Sequence, residues 1–77
     1  MYKYEIQFLG RAKGDFDRHM EATAKTHPVG KIGFKSYYFA GIKGLIVFLE
    51  RKGDWDAIRN AVPRHELVGA WQIGAAA

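Results

Sequence analysis

The chain has 77 residues, carries a formal net charge of +4 and contains no cysteine. A chain of this length forms one domain that hides about 60 to 65% of its unfolded surface. The lack of cysteine excludes disulfides, thiolate nucleophiles and cysteine-based zinc or iron–sulfur sites. The amino terminus has no apolar signal-peptide core, and the longest apolar run is only residues 45–49, so we expect a cytoplasmic protein without membrane contact.

The first part of the chain predicts a strand followed by a helix. Apolar and polar residues alternate over residues 2–9, which is typical of a strand with one buried side. Residues 10–14 interrupt this pattern, and Asp15 is placed to cap the helix that follows. We expect that helix to end at residues 27–30, because Pro28 disfavours helical geometry in the residue before it.

The second part of the chain predicts two strands, a helix and a final strand. Residues 31–40 are rich in aromatic side chains and predict the second strand, followed by a turn at residues 41–44 and a third strand over residues 45–51. Asp54 is placed to cap a second helix, which ends near Pro63. Residues 67–74 predict the fourth strand.

An internal repeat indicates that the chain consists of two similar halves. The pattern Lys-Gly-Asp-aromatic-Asp begins at residue 13 and again at residue 52, an offset of 39 residues. We therefore expect a single domain over residues 1–77 with βαβ halves at residues 2–35 and 41–74. The order β-α-β-β-α-β predicts an α+β, ferredoxin-like sandwich, with an antiparallel sheet of order 4-1-3-2 and both helices on one face.

The repeat also assigns a face to each strand residue, because an odd offset exchanges even and odd positions between the halves. The expected helix-facing residues are Tyr4, Ile6, Phe8, Ile32, Phe34, Leu45, Val47, Leu49, Trp71 and Ile73. The expected residues of the opposite face are Lys3, Glu5, Gln7, Lys35, Tyr37, Phe39, Ile46, Phe48, Ala70 and Gln72. Pairing Phe39 with Ile46, and Tyr37 with Phe48, would form an apolar patch that the chain itself does not cover.

Such a patch predicts an interaction surface, because contiguous exposed apolar area generally marks a binding site. Burying four such side chains contributes about 6 to 10 kcal/mol to the free energy of association, before the entropic and desolvation costs of binding. The expected interface or ligand-binding residues are Lys35, Tyr37, Phe39, Ile46 and Phe48. The expected occupant is a second copy of the chain, with a small ligand, another protein or RNA as alternatives.

One family resemblance agrees with this expectation. It rests on Gly30-Lys31, the aromatic strand with Tyr37-Tyr38, residues 44–50, an aspartate-led helix start and the closing Val68-Gly69 strand. Over residues 30–72 the chain resembles the small dimeric α/β-barrel proteins, such as GYD-domain proteins. The resemblance implies two ferredoxin-like sheets paired face to face. Some proteins of that kind are monooxygenases or isomerases, but the resemblance transfers no catalytic residue.

Few residues are of types that carry chemistry. The chain has three histidines, His19, His27 and His65, but His19 and His27 lie eight positions apart, unlike a metal-binding pair on adjacent helical turns. We therefore expect no metal and no cofactor. Ser36 is the sole serine and has no nucleophile-elbow motif around it. The remaining enzyme hypothesis is a pocket between sheet and helices that His19 or Glu5 reaches.

The sequence leaves three functional hypotheses. The leading one is a non-enzymatic, homodimeric binding or regulatory module that pairs through the open sheet. The second is an enzyme of the dimeric-barrel type. The third is a protein that modulates or inhibits a protein or RNA partner. For RNA, Lys43-Gly44 matches the start of an RNA-recognition-motif signature, although Leu45 and Val47 stand where stacking aromatic residues are expected.

Overall fold

A computed structural model of the chain describes residues 1–26 and 30–75. The elements in chain order are β1 (Tyr2–Leu9), a 3-10 turn (Gly10–Ala12), α1 (Lys13–Thr26), β2 (Ile32–Phe39), β3 (Ile42–Leu49), α2 (Asp54–Asn60), a second 3-10 turn (Arg64–Glu66) and β4 (Leu67–Ala75). The predicted helix stop covers residues 27–30, of which residues 27–29 lie outside the described residues. Neither described helix combines the length and the apolar character that crossing a bilayer requires.

The described strands form one open antiparallel sheet in the order β2-β3-β1-β4. The predicted order 4-1-3-2 gives the same neighbours, starting from the opposite edge. β1 and β3 lie in the centre, while β2 and β4 form the two edges. The fold is therefore α+β, with two described helices and a four-stranded sheet.

The core lies between both helices and one face of the sheet. Its buried residues are Tyr4, Ile6, Phe8, Ala12, Phe16, Leu45, Val47, Leu49, Ile58, Ala61 and Val62. Two ring pairs connect the helices to β1. Phe16 stacks on Phe8 with 5.2 Å between ring centroids, and Trp55 stacks on Tyr4 with 4.3 Å between centroids. The helix-facing alternation predicted for β1 and β3 therefore builds the core.

The two aspartates predicted as helix caps lie inside the first helical turns. α1 begins at Lys13, and the Asp15 carboxylate accepts a hydrogen bond from Arg18. α2 begins at Asp54 itself, with Gly53 at the cap position. The Asp54 carboxylate accepts a hydrogen bond from the Gly30 N–H at 2.9 Å. Both negative charges still interact favourably with the positive end of their helix dipole. Neither aspartate, however, lies at the cap position before the helix.

The hairpin between β2 and β3 turns earlier than predicted. Its two loop residues are Ala40 and Gly41, with φ of 51° and 79°. Two positive φ angles are the signature of a type I′ turn, whose twist matches that of the adjoining strands. The predicted turn at residues 41–44 is therefore wrong, because residues 42–44 already belong to β3. Alanine rarely adopts this conformation, so the sequence carries no clear turn signal at residue 40.

The earlier turn also changes the pairing across the hairpin. Tyr37 faces Gly44, and Phe39 faces Ile42 at the tip of the hairpin. The predicted pairs of Phe39 with Ile46, and of Tyr37 with Phe48, do not form. Instead, Ile46 is paired with Lys35.

The face predicted for the centre of β4 is wrong. Trp71 pairs with Glu5, whereas Ala70 pairs with the buried Ile6. The register of β4 against β1 shifts twice, once on each side of this segment. Each such bulge inserts an extra residue and reverses the alternation of faces. As a result, Trp71 is turned away from the helices and Ala70 packs against the core.

Candidate functional site

The face of the sheet turned away from the helices, which we call the open face, presents its side chains in rows across the strands. The register defines these rows in the order β2, β3, β1, β4. They are Gly33, Phe48, Lys3 and Gly74; then Lys35, Ile46, Glu5 and Trp71; then Tyr37, Gly44, Gln7 and Gly69; and finally Phe39, Ile42 and Leu9. Neither described helix packs on this face.

The second row places an apolar residue between opposite charges. Ile46 lies on the central strand β3, with Lys35 beside it on β2 and Glu5 beside it on β1. Trp71 follows on β4, and 41% of its surface is exposed. Its indole also lies over Gly69, where an added Cβ would come within 2.6 Å of the ring. The row therefore runs from positive through apolar to negative and ends in an exposed aromatic ring.

The first row surrounds an aromatic ring with positive charge. The Lys3 Nζ lies 5.5 Å from the centroid of the Phe48 ring, and the Lys35 Nζ lies 5.9 Å from it. At these distances each ammonium is attracted to the ring face. Phe48 is half-buried by these neighbours. The open face thus carries a cationic rim at this end.

Tyr37 and Gln7 of the third row form a hydrogen-bonded cluster with Glu5 of the second row. The Tyr37 ring lies across Gly44 and donates its hydroxyl proton to the Glu5 carboxylate. Gln7 Nε2 donates to the Tyr37 oxygen at 2.6 Å and to Glu5 Oε2 at 3.2 Å. The bond to Glu5 raises the pKa of Tyr37 above 10.0; the bond from Gln7 lowers it in part, and partial burial with the Glu5 charge adds to the increase.

All five residues predicted for an interface lie on the open face, although not in the predicted arrangement. Lys35 and Ile46 meet near its centre, whereas Phe39 is 75% exposed at the hairpin tip. The sequence reasoning missed Trp71, because the bulges of β4 are not visible in its run of apolar residues. The interface role of the five predicted residues stays a prediction.

The residues of the enzyme hypothesis do not share a pocket. Glu5 lies on the open face, while His19 lines a hollow between the helices together with Ala57 and Asn60. A separate groove of about 260 Å³ lies between α1 and β2. Its lining residues are Lys13, Phe16, Asp17, Met20, Phe34, Ser36 and Leu45. Within residues 1–26 and 30–75, no three metal-binding side chains come together.

Comparison with known proteins finds no match to a family model, to a curated protein or to a solved structure. The resemblance to dimeric α/β-barrel proteins therefore gains no support from outside the sequence. The geometry of the open face carries the functional argument.

Proposed function

We propose that this chain is a ferredoxin-like, non-enzymatic binding or regulatory module of the cytoplasm, and that it works as a homodimer paired through the open face. The observation that carries this proposal is the row in which Lys35 and Glu5 flank Ile46. A surface with opposite charges at equal distances from an apolar centre is complementary to a copy of itself.

The symmetry of a dimer makes this complementarity specific. In a two-fold dimer the same patch is used by both copies. A two-fold axis that runs parallel to β3, between the two sheets, places β2 of one copy over β1 of the other. Lys35 of each copy then lies opposite Glu5 of the other, and Ile46 meets Ile46. Packed sheets deviate from this alignment by about 30° because each is twisted, which keeps these pairs near the centre.

The apolar content of the open face supports the same arrangement. Ile46 and Phe48 lie in adjoining rows on the central strand β3 and leave apolar surface accessible to solvent. Covering such surface is the main favourable contribution to association. The charged residues around it fix the orientation in which two copies pair.

Sedimentation equilibrium tests the proposal. We expect a mass of at least twice the 8.7 kDa chain at micromolar concentration. Phe48→Glu, one row away from Ile46, places two carboxylates opposite each other across the interface and should abolish pairing through this face. His19→Glu adds the same group to the exposed helical layer and should leave the mass unchanged. A monomeric wild-type chain, or equal masses for both variants, contradicts the proposal.

A second candidate function is binding of single-stranded RNA to the same face. It is favoured by the Phe48 ring between Lys3 and Lys35, since exposed rings beside basic groups stack on bases and contact phosphates. The Glu5 carboxylate in the next row opposes it. Titration with a labelled oligonucleotide at two salt concentrations separates the candidates, because phosphate contacts weaken steeply as salt rises. Binding that Phe48→Glu removes from a monomeric chain would favour RNA.

A further inference from the structure

The two edges of the sheet differ in their regularity. β4 is irregular, since its register against β1 shifts at two places. β2 pairs with β3 over eight consecutive residues without a shift. Bulges and short strands are the usual means of keeping an edge from pairing with another chain. The β2 edge has neither, and it exposes Phe34 and Tyr38, at 45% and 65%, on the helix side of the sheet.

The backbone of β2 presents a regular set of hydrogen-bonding groups at this edge. The Glu50 N–H donates to the Lys31 carbonyl at 3.1 Å, so residue 31 is directed toward β3. The backbone N–H and C=O groups of successive residues in an antiparallel strand point to opposite sides. The groups of odd-numbered β2 residues therefore bond to β3, and those of even-numbered residues point away from the sheet. The outward N–H and C=O groups belong to Ile32, Phe34, Ser36 and Tyr38.

We propose that this edge pairs with the β2 edge of a second copy, antiparallel and centred on Ser36, to give a continuous eight-stranded sheet. In this register Ser36 lies opposite Ser36, Phe34 opposite Tyr38, and Lys35 opposite Tyr37. The outward groups of both strands bond to each other. Aromatic pairs across neighbouring strands stabilise a sheet, as does a long cationic side chain beside a ring.

The neighbouring registers are less favourable. Centring the pair on Lys35 places two ammonium groups directly opposite each other, which destabilises the sheet. Centring it on Tyr37 moves Phe34 opposite Ala40, in the turn, and shortens the ladder. The register at Ser36 alone avoids like charges and pairs Gly33 through Phe39 completely.

This contact goes beyond the proposed pairing through the open face and uses different groups, the outward backbone N–H and C=O groups of β2. The two-fold axis of the edge contact is perpendicular to the sheet, whereas that of the face contact lies parallel to it. Phe48→Glu should therefore abolish the face contact and leave the edge contact intact. Each proposal can fail without the other.

Hydrogen exchange of the unmodified chain tests the edge contact. We expect the amides of Phe34, Ser36 and Tyr38 to exchange at least about tenfold more slowly at high protein concentration than after dilution. The amides of Lys35 and Tyr37, which are directed toward β3, provide the reference. If these three outward amides exchange fast at every concentration while the reference amides are protected, the proposal is wrong.

A cysteine placed at Ser36 tests the register. The chain contains no other cysteine, and opposed residues in a hydrogen-bonded pair have Cα atoms about 5.5 Å apart, within reach of a disulfide. Phe39→Cys is the control, because two copies of residue 39 would lie about 20 Å apart at 3.4 Å per residue. We expect Ser36→Cys to form covalent dimers at least about tenfold faster than the control under mild oxidation. Equal rates, or no cross-linking of Ser36→Cys, overturn the register.

Discussion

The ring of Tyr37 lies directly across the backbone of Gly44, its partner on β3, and extends its hydroxyl group to Glu5 on β1. One side chain thus spans three strands of the open face. The contact requires a glycine, because a Cβ at residue 44 would overlap the ring.

Gly44→Ala should displace Tyr37 and break the cluster with Glu5 and Gln7. Overpacking of this kind costs about 1 to 3 kcal/mol, which urea denaturation measures as a lower free energy of unfolding. Gly33→Ala is the matched control on the same face, where an added Cβ makes only ordinary contact with Phe48 at 3.8 Å. Equal losses for the two variants would show that the ring does not occupy this position.

The Tyr37 phenol should titrate above the ordinary tyrosine pKa of 10.0, chiefly because its proton is donated to Glu5. Glu5→Gln should lower this pKa, and Gln7→Leu should raise it further, because Gln7 donates to the phenol oxygen. Ring carbon chemical shifts followed by NMR against pH measure both changes. A change in the same direction for both variants would contradict the hydrogen-bond assignment.

The same bond links stability to pH. A phenol whose pKa is raised by folding binds its proton more tightly in the folded state than in the unfolded state. Its contribution to stability is therefore complete below pH 10 and is lost as pH rises through the folded pKa. Glu5→Gln should reduce this loss at alkaline pH, as denaturation at a series of pH values would show.

The two tryptophans should differ in their contribution to stability. Trp55 stacks on the buried Tyr4, whereas Trp71 lies exposed on the open face. Trp55→Ala should lower the free energy of unfolding by about 3 kcal/mol, since it leaves a cavity beside the core. Trp71→Ala should cost about 1 kcal/mol or less when measured at concentrations too low for association. A larger loss for Trp71→Ala than for Trp55→Ala would contradict the register of β4, which turns Trp71 away from the core.

Ala40 offers a stabilising change, because its φ of 51° is unfavourable for a residue with a Cβ. Asn tolerates this conformation, so Ala40→Asn should raise the free energy of unfolding by about 0.5 to 1 kcal/mol. The same substitution at the exposed helical residue Ala22 should instead cost about 0.5 kcal/mol, because Asn is a poorer helix former. Thermal unfolding of both variants checks the opposite signs.

The sequence was informative where side chains alternate without interruption. The strand at residues 2–9, its buried side and the order of elements follow from a period of two and from the placement of glycine, proline and aspartate. The hairpin register could not be predicted from the sequence, because an alanine at residue 40 does not indicate a left-handed turn conformation. The face on which Trp71 lies could not be predicted either. The bulges of β4 reverse the alternation of faces inside a segment that is apolar on both sides. These two features determine how the open face is arranged.

A charge-reversal cycle on Lys35 and Glu5 tests most directly whether a second copy covers the open face. Within one copy these two residues lie on different strands with Ile46 between them, so a strong coupling must arise between copies. We expect Lys35→Glu and Glu5→Lys each to raise the dimer Kd by at least about tenfold, and the double variant to restore it to within about threefold of wild type. Independent effects of the two substitutions, with no recovery in the double variant, would contradict pairing through this face.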